Sequence, residues 1–193
     1  MTNTRKKQTQ TLVLGAVFTA LVFVLQYLGS FIRFGMFSVT LVLLPIIVGA
    51  ATCGYKIGAW LGFVFGIAVF ITGDADVFLA IDYFGTIVTV LLKGTLCGLA
   101  AGLTYKLLEK YNKYLAVMTA AVVCPIVNTG IFLIGCKLFF FETIQEWGAA
   151  AGFNNAAAYM FLGLAGANFL FELGTNLILS PAVVRVLKLA KID

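Results

Sequence analysis

The sequence predicts an all-α integral membrane protein, with six transmembrane helices in one bundle that occupies residues 1–193 as a single domain. Composition is the first indication: 62% of the residues are hydrophobic and only 11% are charged, whereas about 25% are charged in an ordinary soluble domain. The second indication is that the charges lie at the ends of long apolar runs. A helix needs roughly 20 apolar residues to cross about 30 Å of hydrocarbon.

Six apolar runs define the predicted transmembrane helices. The first run is too long for the apolar core of a cleaved signal peptide, so we expect it to remain in the mature protein. The third run is the shortest. The runs cover approximately residues 11–31, 37–53, 56–72, 83–107, 114–139 and 159–180.

Prolines mark the irregular points of these helices. Pro45 and Pro125 lie inside the second and fifth runs, and each is expected to kink its helix because it removes a backbone hydrogen bond. Ser180 and Pro181 are expected to end the sixth helix. A short basic helix over residues 182–190 is then predicted at the cytoplasmic membrane surface. The longest outer loop is expected over residues 141–159.

Basic residues predict the orientation of the bundle. If the N-terminus is inside, the outer loops contain only Arg33 and Lys137, together with five of the eight acidic residues. Because basic residues near span ends accumulate on the cytoplasmic side, both termini are predicted to be cytoplasmic. The inner segments contain ten of the thirteen basic residues: Arg5, Lys6, Lys7, Lys56, Lys106, Lys110, Lys113, Arg185, Lys188 and Lys191.

The residues that the sequence lacks argue against several chemistries. There is no His, which removes the commonest zinc ligand and general base, and the four Cys residues form no CxxC pair. No Gly-rich phosphate loop is present, so the chain is not expected to hydrolyse ATP. The net charge of +5 comes from span ends rather than from a basic module. We therefore predict no catalytic residue, metal, cofactor or nucleic-acid partner, and a lipid bilayer as surroundings.

Small residues recur at four-residue spacing in three of the predicted helices. This spacing returns to nearly the same face, so each series makes a smooth surface that another backbone can approach. The two glycine series are interpreted as packing inside the bundle. The alanine pair lies near the cytoplasmic end of an otherwise bulky helix. Two interpretations of this pair are open: packing inside the bundle, or docking of another membrane protein. The series are Gly58, Gly62 and Gly66; Gly94, Gly98 and Gly102; and Ala16 with Ala20.

A polar stripe runs along the fourth predicted helix. Asp82, Thr86, Thr89 and Lys93 are spaced at i, i+4, i+7 and i+11, which places them within about 60° of one another. The stripe starts at the outer surface and reaches Lys93 roughly 15 Å deeper. It predicts polar side chains on one face of a helix that packs through glycine on another.

The sixth helix carries a matching pattern. Asn168, Glu172 and Asn176 share a face, and Asn128 lies in the outer half of the fifth helix. An intramembrane charge costs at least about 2.5–3.5 kcal/mol, so it should face protein or water and find a partner. Two interpretations are compatible: Lys93 and Glu172 neutralise each other as a structural pair, or these groups orient a small solute in an outward-facing cavity.

The acidic residues of the outer loops are interpreted as solvated. Asp74 with Asp76, or Glu142 with Glu146, would otherwise form a metal or acid–base pair. The depletion of basic residues on the outer side accounts for them without such a site.

These features resemble the substrate-binding S components of energy-coupling factor (ECF) vitamin transporters. The resemblance rests on the size, the six spans and the Ala16–Ala20 pair. It also rests on the run TLVLLPIIVG from Thr40, the run GAWLG from Gly58, and the late run NFLFE from Asn168 to Glu172.

The resemblance implies a function and partners. S components bind a vitamin or precursor at the outer side and associate with a membrane T component and two cytoplasmic ATPases, which drive uptake across the plasma membrane of a prokaryote. Ala16 and Ala20 would then dock on the T component, and the loop between the first two helices, with Arg33, would gate the site.

The polar residues narrow the solute. Lys93 or Arg33 suits a carboxylate or phosphate, and Asn128, Asn168 and Glu172 suit hydroxyls and amides, with Thr86 and Thr89 beside them. Pantothenate has a matching set of groups, and the second-helix run is similar to the pantothenate-type branch. Eighteen Phe residues leave aromatic stacking open, as riboflavin, pyridoxine or folate would need. A membrane enzyme that uses Asp74 or Asp76, and a scaffold without a ligand, are the alternatives from other classes.

Overall fold

The protein is described by a computed structural model that covers residues 3–31, 33–34, 37–38 and 40–189. It is helical except for one short hairpin. Two antiparallel strands, β1 (Arg33–Phe34) and β2 (Phe37–Ser38), connect the first two helices. The helices are α1 (Asn3–Ser30), α2 (Leu43–Cys53), α3 (Tyr55–Ile71), α4 (Asp76–Leu79), α5 (Tyr83–Leu108), α6 (Lys113–Phe139), α7 (Phe141–Ala150), α8 (Ala156–Ala158) and α9 (Gly166–Leu189), with a π-helical turn at Tyr159–Leu164 between the last two.

Four helices in the described part of the chain are long and apolar enough to cross a membrane. They span Lys7–Ser30, Tyr83–Leu108, Lys113–Phe139 and Gly166–Arg185. The helices α2 and α3 are apolar but have only 11 and 17 residues, which gives lengths of about 17 Å and 26 Å. Helix α2 is therefore too short to cross the hydrocarbon region by itself.

Helix α2 differs from the predicted second span of residues 37–53. Phe37 and Ser38 belong to the hairpin, and the helix begins at Leu43. Pro45 is its third residue, in the first turn, where backbone N–H groups have no partner inside the helix in any case. The predicted kink at Pro45 is therefore wrong. Pro125, by contrast, lies well inside α6, which continues past it to Phe139.

The C-terminal part of the chain also differs from expectation. Ser180 and Pro181 do not end a helix, because α9 runs through both to Leu189. Proline lacks an N–H group, so it costs this helix one backbone hydrogen bond without ending it. Residues 182–189 therefore continue α9 and do not form the predicted separate tail helix. The predicted outer loop of residues 141–159 contains two helices, α7 and α8.

Helix α2 lies at the centre of the bundle. It packs against α1, α3, α5, α6 and α9, while α3 packs on α5, α5 on α6, and α6 on α9. Helix α1 lies at the side of the bundle, mainly against α2 and α3. This arrangement leaves much of α1 without a partner within the described chain.

The two glycine series face each other, which confirms their interpretation as packing. A Cβ atom on Gly58 would lie 2.6 Å from the carbonyl oxygen of Gly98, and one on Gly62 would contact the carbonyl oxygen of Gly94. A Cβ atom on Gly102 would lie 2.5 Å from the Cα atom of Tyr55. Because any side chain would meet the opposite backbone, glycine permits α3 and α5 to approach this closely.

Candidate functional site

A cavity of about 560 Å³, including its open mouth, lies where the two apolar cores of the bundle meet. Its polar residues come from three helices and two connecting segments, and its apolar residues include four phenylalanines. The lining residues are Gln26, Thr40, Phe65, Val69, Asp74, Ala75, Phe78, Thr86, Thr89, Val90, Lys93, Phe132, Phe140 and Asn168.

A second, smaller cavity of about 320 Å³ adjoins the first. Lys93, Phe132 and Asn168 line both. The smaller cavity is completed by Asn128, Thr129, Leu164 and Ala165. The polar groups predicted on three different helices are therefore brought together around Lys93.

Lys93 is held by aromatic rings. Its Nζ atom lies 5.7 Å from the ring centroid of Phe65 and 5.5 Å from that of Phe132. A ring face attracts a cation because of its quadrupole, by about 0.5–2 kcal/mol. The rings thus stabilise a positive charge in apolar surroundings while leaving the ammonium beside both cavities.

Glu172 is fully buried behind the asparagines. It is 1% exposed and accepts hydrogen bonds from Asn168 Nδ2 at 2.9 Å and from Asn128 Nδ2 at 3.4 Å. Thr40 also interacts with this carboxylate, and Lys93 attracts it electrostatically. Asparagine N–H groups hydrogen-bond this carboxylate, whereas Lys93 acts on it through electrostatic attraction.

The stripe on α5 divides into capping and cavity residues. Asp82 caps the helix by accepting a hydrogen bond from the Gly85 backbone N–H at 3.1 Å. The Thr86 hydroxyl donates to the Asp82 carbonyl oxygen at 2.6 Å. Among the described residues the buried Oγ1 atom of Thr89 has no hydrogen-bond partner. Of the stripe, Thr86, Thr89 and Lys93 line the larger cavity.

Comparison with known families identifies the family of the chain. The family of ECF transporter substrate-specific components matches residues 10–184. The chain belongs to this family. The match covers nearly the whole chain and confirms the resemblance drawn from the sequence. No curated protein and no solved structure shows a match to the chain.

This S component is a multi-pass membrane protein, because it belongs to this family and has four helices that are long and apolar enough to cross a membrane. Its family acts in transport by binding substrate. Within the described residues, no group of three or more His, Cys, Asp or Glu side chains is arranged to hold a metal ion.

Gln26, Thr40 and Asp74 line the larger cavity of this S component but were not among the predicted site residues. Gln26 is the lone amide in a long apolar run, is 2% exposed, and donates to Asp74 Oδ2 at 2.7 Å. The Thr72 hydroxyl donates to the same oxygen at 3.2 Å. The solvated-loop interpretation is therefore wrong for Asp74, which lines the cavity, whereas Asp76 is exposed. An amide inside a membrane helix is itself a signal of function, and Gln26 carried that signal.

The predicted docking residues line neither of these two cavities. Ala16 and Ala20 are exposed on α1, while the neighbouring Gly15 faces Ile57 of α3. The backbone of Arg33 is in β1, but its side chain is outside the described part of the structure.

Proposed function

We propose that this S component captures a small carboxylate-containing solute from outside the cell, with pantothenate as the best candidate. The observation that carries the proposal is the Lys93 ammonium, which borders both cavities beside amide and hydroxyl groups. A charge-assisted hydrogen bond to a carboxylate is roughly twice as strong as a neutral one. A cation in this position therefore favours an anionic solute.

Pantothenate supplies groups that complement the cavity. Its carboxylate suits Lys93, and its amide and two hydroxyls suit Thr86, Thr89 and the asparagines. In this proposal Asn128 and Asn168 contact the solute, Glu172 supports them, and Arg33 acts at the entrance.

A vitamin with an aromatic ring is the second candidate. The cavity wall contains Phe65, Phe78, Phe132 and Phe140, and offset or edge-to-face ring contacts contribute about 0.5–1.5 kcal/mol each. Riboflavin, pyridoxine and folate would use these rings. The scaffold alternative is disfavoured because it leaves a polar-lined cavity unexplained.

The proposal includes six spans, both termini in the cytoplasm, and the plasma membrane of a prokaryote. Its support is the segregation of basic residues, which follows the positive-inside rule. As in the family resemblance, a membrane T component and two cytoplasmic ATPases would be the partners. The exposed Ala16 and Ala20 of α1 would form the docking face for the T component.

Thermal-shift screening of the purified protein against a vitamin panel tests the proposed solute. A ligand that binds only the folded state adds about 2.7 kcal/mol of stability at 100 times its Kd. We expect pantothenate to raise the Tm in a saturable manner. If only riboflavin, pyridoxine or folate raised the Tm, that vitamin would replace pantothenate as the proposed solute. If no vitamin gave a saturable rise in the Tm, the scaffold alternative would be favoured. The enzyme alternative instead predicts a turnover that is lost when Asp74 or Asp76 is replaced.

A further inference from the structure

Glu172 accepts a hydrogen bond from the amide nitrogen of each of two asparagines. Asn168 Nδ2 donates to Oε1 and Asn128 Nδ2 donates to Oε2. A carboxylate only accepts hydrogen bonds, so it selects the nitrogen end of each amide. The carbonyl oxygens of Asn128 and Asn168 are therefore turned away from Glu172.

These two carbonyl oxygens are left without a partner. Both Oδ1 atoms are buried and accept no hydrogen bond from any described residue, and both asparagines line the smaller cavity beside Lys93. In most proteins buried polar atoms are paired. Two unpaired acceptors on residues that line the same cavity point to a ligand that supplies the donors.

We infer that Glu172 is a positioning residue, and that it makes the wall formed by Asn128 and Asn168 a subsite for hydrogen-bond donors of the solute. The inference rests on the proposed function, because it assigns a polarity within the same site. Lys93 presents a cation to an acidic group, and the asparagines accept from hydroxyl or N–H groups. A matching solute therefore carries an anionic group together with at least one such donor.

The test compares two ligands in two proteins. The ligands are pantothenate and a difluoro analogue in which fluorine replaces each hydroxyl, so that the hydroxyl donors are lost and the size is nearly kept. The proteins are the native chain and Glu172→Gln. Glutamine has the shape of glutamate, but one end of its amide is an acceptor oxygen and the other is an NH2 group with two donors, so at least one asparagine turns its N–H groups towards the cavity.

We expect the native protein to bind the difluoro analogue about 10–100-fold more weakly than pantothenate, because its buried acceptors stay unpaired. In Glu172→Gln the Kd of the analogue should be only about threefold higher than that of pantothenate, or less. A substitution that only loosened the bundle would weaken both ligands equally. An unchanged ratio in Glu172→Gln would overturn the inference.

Asn176 provides the matched control. It is buried one turn further along the same face of α9, and its amide donates to the Ala121 carbonyl oxygen at 3.4 Å. Asn176→Ala should lower stability and leave the ligand ratio unchanged. If Glu172→Gln does not fold, Asn128→Leu and Asn168→Leu replace it, since each removes one acceptor and keeps Glu172. If both leucine variants kept the native ratio of the analogue Kd to the pantothenate Kd, the inference would also be overturned.

A measurement without any solute separates this inference from the proposed function. In protein with ¹⁵N-labelled asparagine amides, the Asn128 and Asn168 side-chain resonances are assigned by their loss in the leucine variants. Both should shift in Glu172→Gln, and resonances that do not move would overturn the inference. If they move but pantothenate does not bind, only the proposed solute fails. The affinity of the vitamin that does bind is then compared with that of its analogue lacking hydrogen-bond donors. This comparison tests whether the subsite accepts hydrogen bonds from the solute.

Discussion

Lys93 combines a half-buried side chain with a charge that borders two cavities. The rings of Phe65 and Phe132 hold its ammonium, and the carboxylate of Glu172 is engaged by asparagine amides instead. By contrast, Ser180 and Asn176 donate to backbone carbonyl oxygens within the bundle. Polar side chains of the bundle thus either hydrogen-bond within it or border the cavities.

Replacing Lys93 by methionine should weaken binding of an anionic solute selectively. A hydrogen bond to a charged group contributes about 1.5–3 kcal/mol, so the Kd for pantothenate should rise by about 10–100-fold. The Kd for pantothenol, in which an alcohol replaces the carboxylate, should change little. Isothermal titration with both ligands measures the difference.

The control for this prediction is Lys137→Met. Lys137 is exposed in the last turn of α6 and lines neither described cavity, so both ligands should bind it normally. Equal losses for pantothenate and pantothenol in Lys93→Met would mean that Lys93 supports the fold and not the carboxylate.

At the scale of helices, the α3–α5 contact depends on the absence of side chains. Gly62→Ala should destabilise the protein by about 1–3 kcal/mol, as overpacking does, because the new Cβ would contact the Gly94 carbonyl oxygen. Gly130→Ala is the matched substitution, since nothing lies within 4 Å of the position of its Cβ. It should be neutral or slightly stabilising, because alanine favours a helix over glycine. Thermal denaturation in detergent measures both, and equal Tm values would contradict the close contact.

Helix α1 has two different sides. Gly15 faces Ile57, the Thr19 hydroxyl accepts a hydrogen bond from Trp60 Nε1 at 3.2 Å, and Gln26 reaches the cavity. Ala16 and Ala20 lie on the exposed side. A small-residue surface on this side is suited to close approach of another membrane helix.

Bulky residues on that surface should block transport without disturbing the solute site. We expect Ala16→Trp with Ala20→Trp to keep ligand binding by the isolated protein and to abolish both uptake and co-purification with a T component. Leu21→Trp is the control. Leu21 is 41% exposed and lies about 100° around the helix from Ala20, so uptake should persist. Normal uptake by the double variant would assign the alanine pair to contact with lipid.

For the whole molecule, the membrane orientation is the property that most affects function. With both termini in the cytoplasm, the segment that follows α6 is on the outer side of the membrane. Ala150, at the exposed end of α7, should therefore be outside the cell. We expect Ala150→Cys, in a Cys53→Ser background, to react with an impermeant maleimide on intact cells. The other three cysteines are buried and should remain unlabelled.

Tyr111→Cys is the opposite case in the same background. Tyr111 is 74% exposed in the connection between α5 and α6, close to Lys106, Lys110 and Lys113, and should react only after lysis. Reversed labelling of the two positions would contradict cytoplasmic termini.

The family, the class of fold and most helix positions were predictable from the sequence. Long apolar runs bounded by charges predicted segments that the structure forms as α1, α3, α5 and α6. Helical spacing placed Thr86, Thr89, Lys93 and Asn168 on faces that line one cavity. Both follow because hydropathy and period depend only on residues close together along the chain.

The partners of these residues were decided by the tertiary structure. Gln26 meets Asp74 across 48 positions, Glu172 engages asparagines instead of Lys93, and α9 continues through Pro181. Hydropathy identifies the residues that leave water, but not what each one then contacts. In a bundle the contacts follow from how closely two helices approach, and opposed glycines on α3 and α5 set that distance here. The sequence by itself therefore determined which side chains are withdrawn from water, and only the packing of the helices decided which of them form the cavity.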